Sequence, residues 1–155
     1  MSFKLAAAFI FLASAFVQIS AESHTVTFTN NCGYGTPYLR AQNGDVLSTG
    51  GAYTSNGPLI GAISYLQTGN CGNNGEECTL VETTLENSSG SASDISLVPP
   101  HEFSVTSGFG YYNGCDGTGE DCKYAGCPGA FTDATNGLIV SCPVDNVDLA
   151  ITFCD

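Results

Sequence analysis

Past residue 23 the chain alternates rather than winds. In "TVTFT", Val26 and Phe28 fall on one side and threonines on the other. The closing run "NVDLAITFC" sets Val147, Leu149, Ile151 and Phe153 against Asp148, Ala150 and Thr152. A period of two marks a strand with one buried face. In "LRAQNGDVLS", Asn43-Gly44 stands between two short runs, a hairpin signal because both turn positions must tolerate positive φ. "CTLVETTLE", "DISLV", "EFSVTS" and "GLIVSC" read as further strands. No sustained helical period and no internal repeat follow residue 23. Short strands parted by Gly, Asn, Ser and Pro predict an all-β domain, a sandwich or barrel.

Two connections stand out. "CGNNGEEC", Cys71 to Cys78, is polar but carries a cysteine at each end, so it reads as tied. "ENSSGSASD" has no such tie and reads as the flexible segment. It holds the glycosylation sequon Asn87-Ser88-Ser89.

The N-terminus changes the compartment. Lys4 precedes a largely apolar run from Leu5 to Val17, well short of the ~20 residues that cross a bilayer. This reads as a secretory signal. A cut after Ser23, with Ala21 at −3, assigns 1–23 to the leader and 24–155 to one domain. A cut after Ala21 instead leaves Glu22 first. A cut after Ala15 strands apolar Phe16-Val17 at the terminus. All eight cysteines lie in the mature part. An even count in a secreted chain reads as four disulfides, with many pairings open on spacing alone. A zinc site at Cys115, Cys122, Cys127 and Cys142 is disfavoured by the oxidising compartment.

Charge narrows the partners. Of 3 basic residues, Lys4 belongs to the leader, leaving Arg40 and Lys123 in a chain of formal net charge −12. Such a surface repels phosphate and anionic lipid, which excludes nucleic acid and membrane surfaces as partners. A soluble extracellular monomer is expected.

Several segments then fall into a known order. "VTFTNNCGYGTPYL", "VETTL" followed by "DISLV", "GCDGTGEDC", "CPGAF" and the closing "ITFC" resemble thaumatin-like proteins over nearly the whole mature chain. Small secreted fungal members look most similar. The resemblance implies a disulfide-stabilised two-sheet β-sandwich, without the extra loop domain that larger members carry between the equivalents of Cys122 and Cys127. It also implies the pairs Cys32–Cys154, Cys71–Cys78, Cys115–Cys142 and Cys122–Cys127. Closing a loop of ~120 residues with the first pair stabilises by about 4–5 kcal/mol in the chain-entropy model. By the same resemblance the chain is a defence-type or cell-wall β-glucan-binding module. Larger members carry an acidic cleft linked to β-1,3-glucan binding and sometimes hydrolysis. Glu82 and Asp94 match two cleft acids, and Asp133 stands for a third. The family arginine falls near Ala52 and a further aspartate near Pro99-Pro100, so both are absent, and weak or no hydrolysis is expected. Glu82 and Asp94 remain the acid pair an endo-β-1,3-glucanase would use. A solvated acidic strand surface is the competing reading. There is no tryptophan, so sugar stacking falls to Tyr34, Tyr38, Tyr53, Tyr65, Tyr111, Tyr112 or Tyr124.

The two histidines suggest a third function. With His24 first, its α-amine and imidazole chelate one metal, and His101 adds a third nitrogen, a T-shaped set suited to Cu(II). This resembles the histidine brace of lytic polysaccharide monooxygenases. With Glu22 first, the amine, two amides and the third-position imidazole of Glu22-Ser23-His24 form a square-planar copper site without His101. Copper is the cofactor that either terminus implies.

Overall fold

The computed structural model describes residues 21–155, so the leader expected over 1–23 lies outside the described residues except for its last three positions. Among the described residues there are eleven strands and no helix. They are β1 (His24–Asn30), β2 (Thr36–Arg40), β3 (Val46–Ser48), β4 (Tyr53–Ser55), β5 (Leu59–Gln67) and β6 (Leu80–Leu85). The series continues with β7 (Ser91–Ser96), β8 (Ser107–Tyr112), β9 (Gly119–Cys122), β10 (Val140–Cys142) and β11 (Asp148–Phe153). One sheet has the order β4-β1-β11-β8-β9, and the other β10-β7-β6-β5-β2-β3. The all-β sandwich is the architecture that the alternating runs predict.

The core lies between the sheets. Leu149, Ile151 and Phe153 of β11 are fully buried, facing the other sheet's Leu39, Ala62, Leu66, Val81 and Ile95. Strand β11 pairs in parallel with β1 and antiparallel with β8, so it runs through the middle of its sheet. The Asn43-Gly44 hairpin forms: Gly44 has φ +89°, and the Asp45 N–H donates to Asn43 Oδ1 at 3.0 Å.

Four disulfides join Cys32 to Cys154, Cys71 to Cys78, Cys115 to Cys142 and Cys122 to Cys127. This is the pairing that the resemblance implies. Cys122 and Cys127 are 5 positions apart, so no loop domain is inserted there.

Three local expectations need correction. "EFSVTS" is not a strand. The Thr79 and Ser104 side chains satisfy its backbone instead: the Ser104 N–H donates to Thr79 Oγ1 at 2.9 Å, and the Thr79 N–H to Ser104 Oγ at 3.1 Å. "ENSSGSASD" is not a loose segment. Its second half is β7, and Asn87 is held by Glu22 and Asn146. "GLIVSC" keeps only Val140–Cys142 as a strand, and Leu138 and Ile139 stand exposed beside it.

Candidate functional site: an acidic trough on the outer sheet face

Register builds the site. Arg40 pairs with Ile63, Ile63 with Glu82 and Glu82 with Asp94, one row across β2, β5, β6 and β7. Neighbours on a pleated strand point to opposite faces. Val81 and Thr83 are buried toward the core, so Glu82 and its row point outward. The next outward row runs Tyr38, Tyr65, Leu80, Ser96. The Cys71–Cys78 loop roofs that row. The Tyr65 hydroxyl donates to Asn73 O at 2.8 Å, and Tyr65, Leu80 and Cys78 form a small second core with Tyr38 stacked on Tyr65. Half of the outer face is thus covered, and the half bearing the carboxyls is open.

Three adjoining cavities follow the open half. One of about 310 Å³ lies between the Asn43-Gly44 hairpin, Ile63 and Asn74, and meets the next at Gly61. A second, about 280 Å³, runs past Glu82, Thr84, Asp94 and Ile139. The third, about 220 Å³, shares the same two acids and ends at Phe131 and Asp133. Together they make a shallow trough, open along its length. The structure therefore brings together all three acids singled out in the sequence.

The acids differ in their surroundings. Glu82 and Asp94 are directly opposed, so their carboxyls meet at close range. Burial first, then the neighbouring charge and contact of Glu82, push Asp94 up to about 7. Asp94 Oδ1 is buried and receives no conventional donor. A neutral carboxyl at Asp94 eases the repulsion that two bare carboxylates at this distance would feel. Asp133 sits in the opposite situation. Its carboxylate accepts from the Thr135 N–H and hydroxyl and from the Asn136 amide, which hold it below the usual range. The Phe131 N–H donates to Ile95 O at 2.8 Å and fixes Asp133 at the end of the trough.

Beneath the pair the register is locked. Thr83 and Ser93, each adjacent in sequence to one of the acids, share a hydrogen bond of 2.6 Å on the inner face. The Tyr111 hydroxyl, from the other sheet, reaches Ser93 Oγ at 3.1 Å and Val140 O at 2.9 Å. Sequence reasoning missed Ile139 as a neighbour of the acids. The pairing of β10 with β7 carries it there, and a single sequence does not display such pairing.

The histidines lie elsewhere. His24 is fully buried, with Nδ1 2.7 Å from Val147 O and Nε2 3.2 Å from Glu22 Oε1. Both partners are oxygen acceptors. His101 Nδ1 instead meets Gly75 O at 2.9 Å. Glu22 is tied to the N–H of Asn87, just past the end of β6. His101 sits beside the Gly75–Glu77 segment that precedes β6. The strand between them is ~20 Å long. The two histidines therefore stand towards opposite ends of β6. The Ser23 N–H donates to Asn146 Oδ1 at 3.0 Å. Among the described residues no His, Cys, Asp or Glu group is arranged to hold a metal ion. Asn87, the sequon residue, is half-buried and pairs its carboxamide with the Asn146 side chain and backbone N–H.

The fold and the disulfide frame define a thaumatin-like β-sandwich. Among solved structures the chain is similar to the thaumatin-like xylanase inhibitor TLXI, with a TM-score of 0.56 and 19% identity over 85% of this chain and 99% of that one. It also aligns with the protein elicitor MoHrip2 from Magnaporthe oryzae, with a TM-score of 0.46 and 15% identity over 87% and 100%. At these identities the likeness is one of fold. Neither protein-family profiles nor curated protein sequences give a match.

Proposed function

We propose that the chain is a secreted, non-hydrolytic module that holds an extended β-1,3-glucan chain along the Glu82–Asp94 trough. The carrying observation is the opposed carboxyl pair on an open sheet face. A protonated Asp94 donates while Glu82 and Asp133 accept, a mixed set suited to sugar hydroxyls. The neighbourhood of the pair argues against catalysis, since the arginine and the further aspartate expected of the acidic cleft are absent near Ala52 and Pro99-Pro100. A glycosidase needs two carboxyls flanking the bond, held in place by such neighbours. Sedimentation with insoluble β-1,3-glucan tests this reading: the protein pellets with the polymer and releases no reducing ends. Protein that stays in the supernatant, or turnover lost in both Glu82→Gln and Asp94→Asn, contradicts it.

A second reading rests on the likeness to a xylanase inhibitor. Exposed Leu138 and Ile139 at the trough rim suit contact with a protein surface, here a carbohydrate-active enzyme. Loss of xylanase activity on adding the protein, reversed in Ile139→Asp, supports it. Unchanged xylanase activity removes it.

A further inference from the structure

A larger cavity, about 560 Å³, lies beyond the trough and is lined by Tyr34, Asn70, Glu77, Glu102, Phe103 and Ser104 among others. Its volume is within the ~300–1,000 Å³ range of small-ligand sites. We infer that it is a second carbohydrate site, for a neutral oligosaccharide seated on the Tyr34 ring.

The walls are held in place. Tyr34 is 57% exposed, yet its loop is braced. The Asn30 amide donates to Tyr34 O at 3.0 Å, and Gly33 and Gly35 on either side take φ +74° and +73°. At Gly35 an added Cβ would lie 2.8 Å from Leu66 Cγ, so the loop packs against β5 with no room for a side chain. The Cys32–Cys154 bond ties the same loop to the C-terminus. On the far side the Glu77 N–H donates to Pro100 O at 2.8 Å, and the reciprocal Thr79–Ser104 bonds fix the 102–105 segment. An exposed aromatic on a braced loop loses little entropy when a ligand covers it.

The lining chooses the ligand. Neither Arg40 nor Lys123 contributes, so phosphate and carboxylate ligands find no counter-charge. Glu77 and Glu102 accept hydrogen bonds, while Thr68, Asn70 and Ser104 bring donors as well. A cation requires only the acceptors. Sugar hydroxyls use both, and the apolar face of a sugar ring matches the tyrosine ring. Phe103 and Val105 complete an apolar patch beside Tyr34. The inference stands apart from the trough reading, because no residue lines both features.

The test is an NMR titration of the disulfide-bonded mature protein with a β-1,3-linked glucohexaose at low and at high salt. Saturable shifts are expected at the Tyr34 ring and at the Phe103 and Ser104 amides, equal at both salt concentrations. Tyr34→Ala should weaken this response about tenfold, Tyr34→Phe should keep it, and Glu102→Gln should weaken it about threefold. Shifts confined to the trough, with Tyr34→Ala without effect, overturn the inference and leave the trough reading standing. A response given by a basic peptide instead, and erased by salt, identifies a cation site and also overturns it. No shift at Tyr34 at millimolar sugar does the same.

Discussion

Two polar clusters in this molecule hold a carboxylate in a strand setting, and they behave differently. At the N-terminal pole, Glu22, His24, Asn87 and Asn146 form a closed set. Each ring nitrogen of His24 has its acceptor, the Asn87 N–H donates to Glu22 at 2.7 Å, and the Asn146 N–H donates to Asn87 Oδ1 at 2.6 Å. In the trough, Asp94 Oδ1 has no donor, and the face above it is open. The pole spends its polar groups on the fold. The trough keeps some unspent, which is what a ligand requires. Residue type alone favours the pole as a site, since histidine next to a carboxylate suggests chemistry. The hydrogen-bond inventory reverses that order.

Breaking the pole should cost the most. His24→Ala removes a fully buried ring and strands Val147 O and Glu22, so stability should fall by about 3 kcal/mol in urea unfolding. A loss below about 1 kcal/mol would mean that the cluster is not a fastening. Asn146→Ala should cost about 2 kcal/mol. It loses the bonds to Ser23 and Asn87 and forces alanine to φ +57°. Asn146→Gly should recover the backbone part of that loss and not the rest.

The trough should show itself in pH dependence. The Asp94 carboxyl is raised from 3.8 to about 7, so between those values the folded chain binds more protons than the unfolded one. Stability therefore falls as pH rises from about 4 to about 7, the reverse of an ion-paired acid. Asp94→Asn should flatten that slope in thermal unfolding scans and weaken retention on insoluble glucan. The Glu22 carboxyl is held low, chiefly by the Asn87 N–H, so its contribution is lost only as pH drops below the usual glutamate range. Asp133→Asn is the smallest change expected, because its partners are local and exposed. Glucan retention, rather than stability, is where it should register.

Legibility in the sequence followed the physics of each element. Strand β11 and the Asn43-Gly44 hairpin were readable because one buried face imposes a period of two, and positive φ selects Asn-Gly. Strand β5 hid because burial on both faces breaks the alternation near its end: Ala62, Ser64 and Leu66 face the core, and Tyr65 lies under the Cys71–Cys78 loop. Strand β8, "SGFGYY", hid behind its glycines. Gly108 faces the Asp121 side chain of β9, so a strand position reads as a loop residue. The acids Glu82, Asp94 and Asp133 were legible through resemblance, but their contact was not, since cross-strand register is a property of the folded sheet. The surroundings of His24 were hidden for the same reason. Its carbonyl partner, Val147, lies 123 positions away in the chain.

In the trough, Asp94 keeps its proton to about pH 7 beside Glu82, on a surface proposed to hold sugar. Carbon-13 NMR titration of the side-chain carboxyls, with and without a β-1,3-linked glucohexaose, is the measurement that decides it. One carboxyl should titrate near pH 7 and shift when the sugar is added. In Glu82→Gln its midpoint should fall but stay above the ordinary aspartate value, because burial is the larger cause. If both carboxyls titrate near pH 4 and ignore the sugar, the pair is a solvated acidic surface and the account of the trough is wrong.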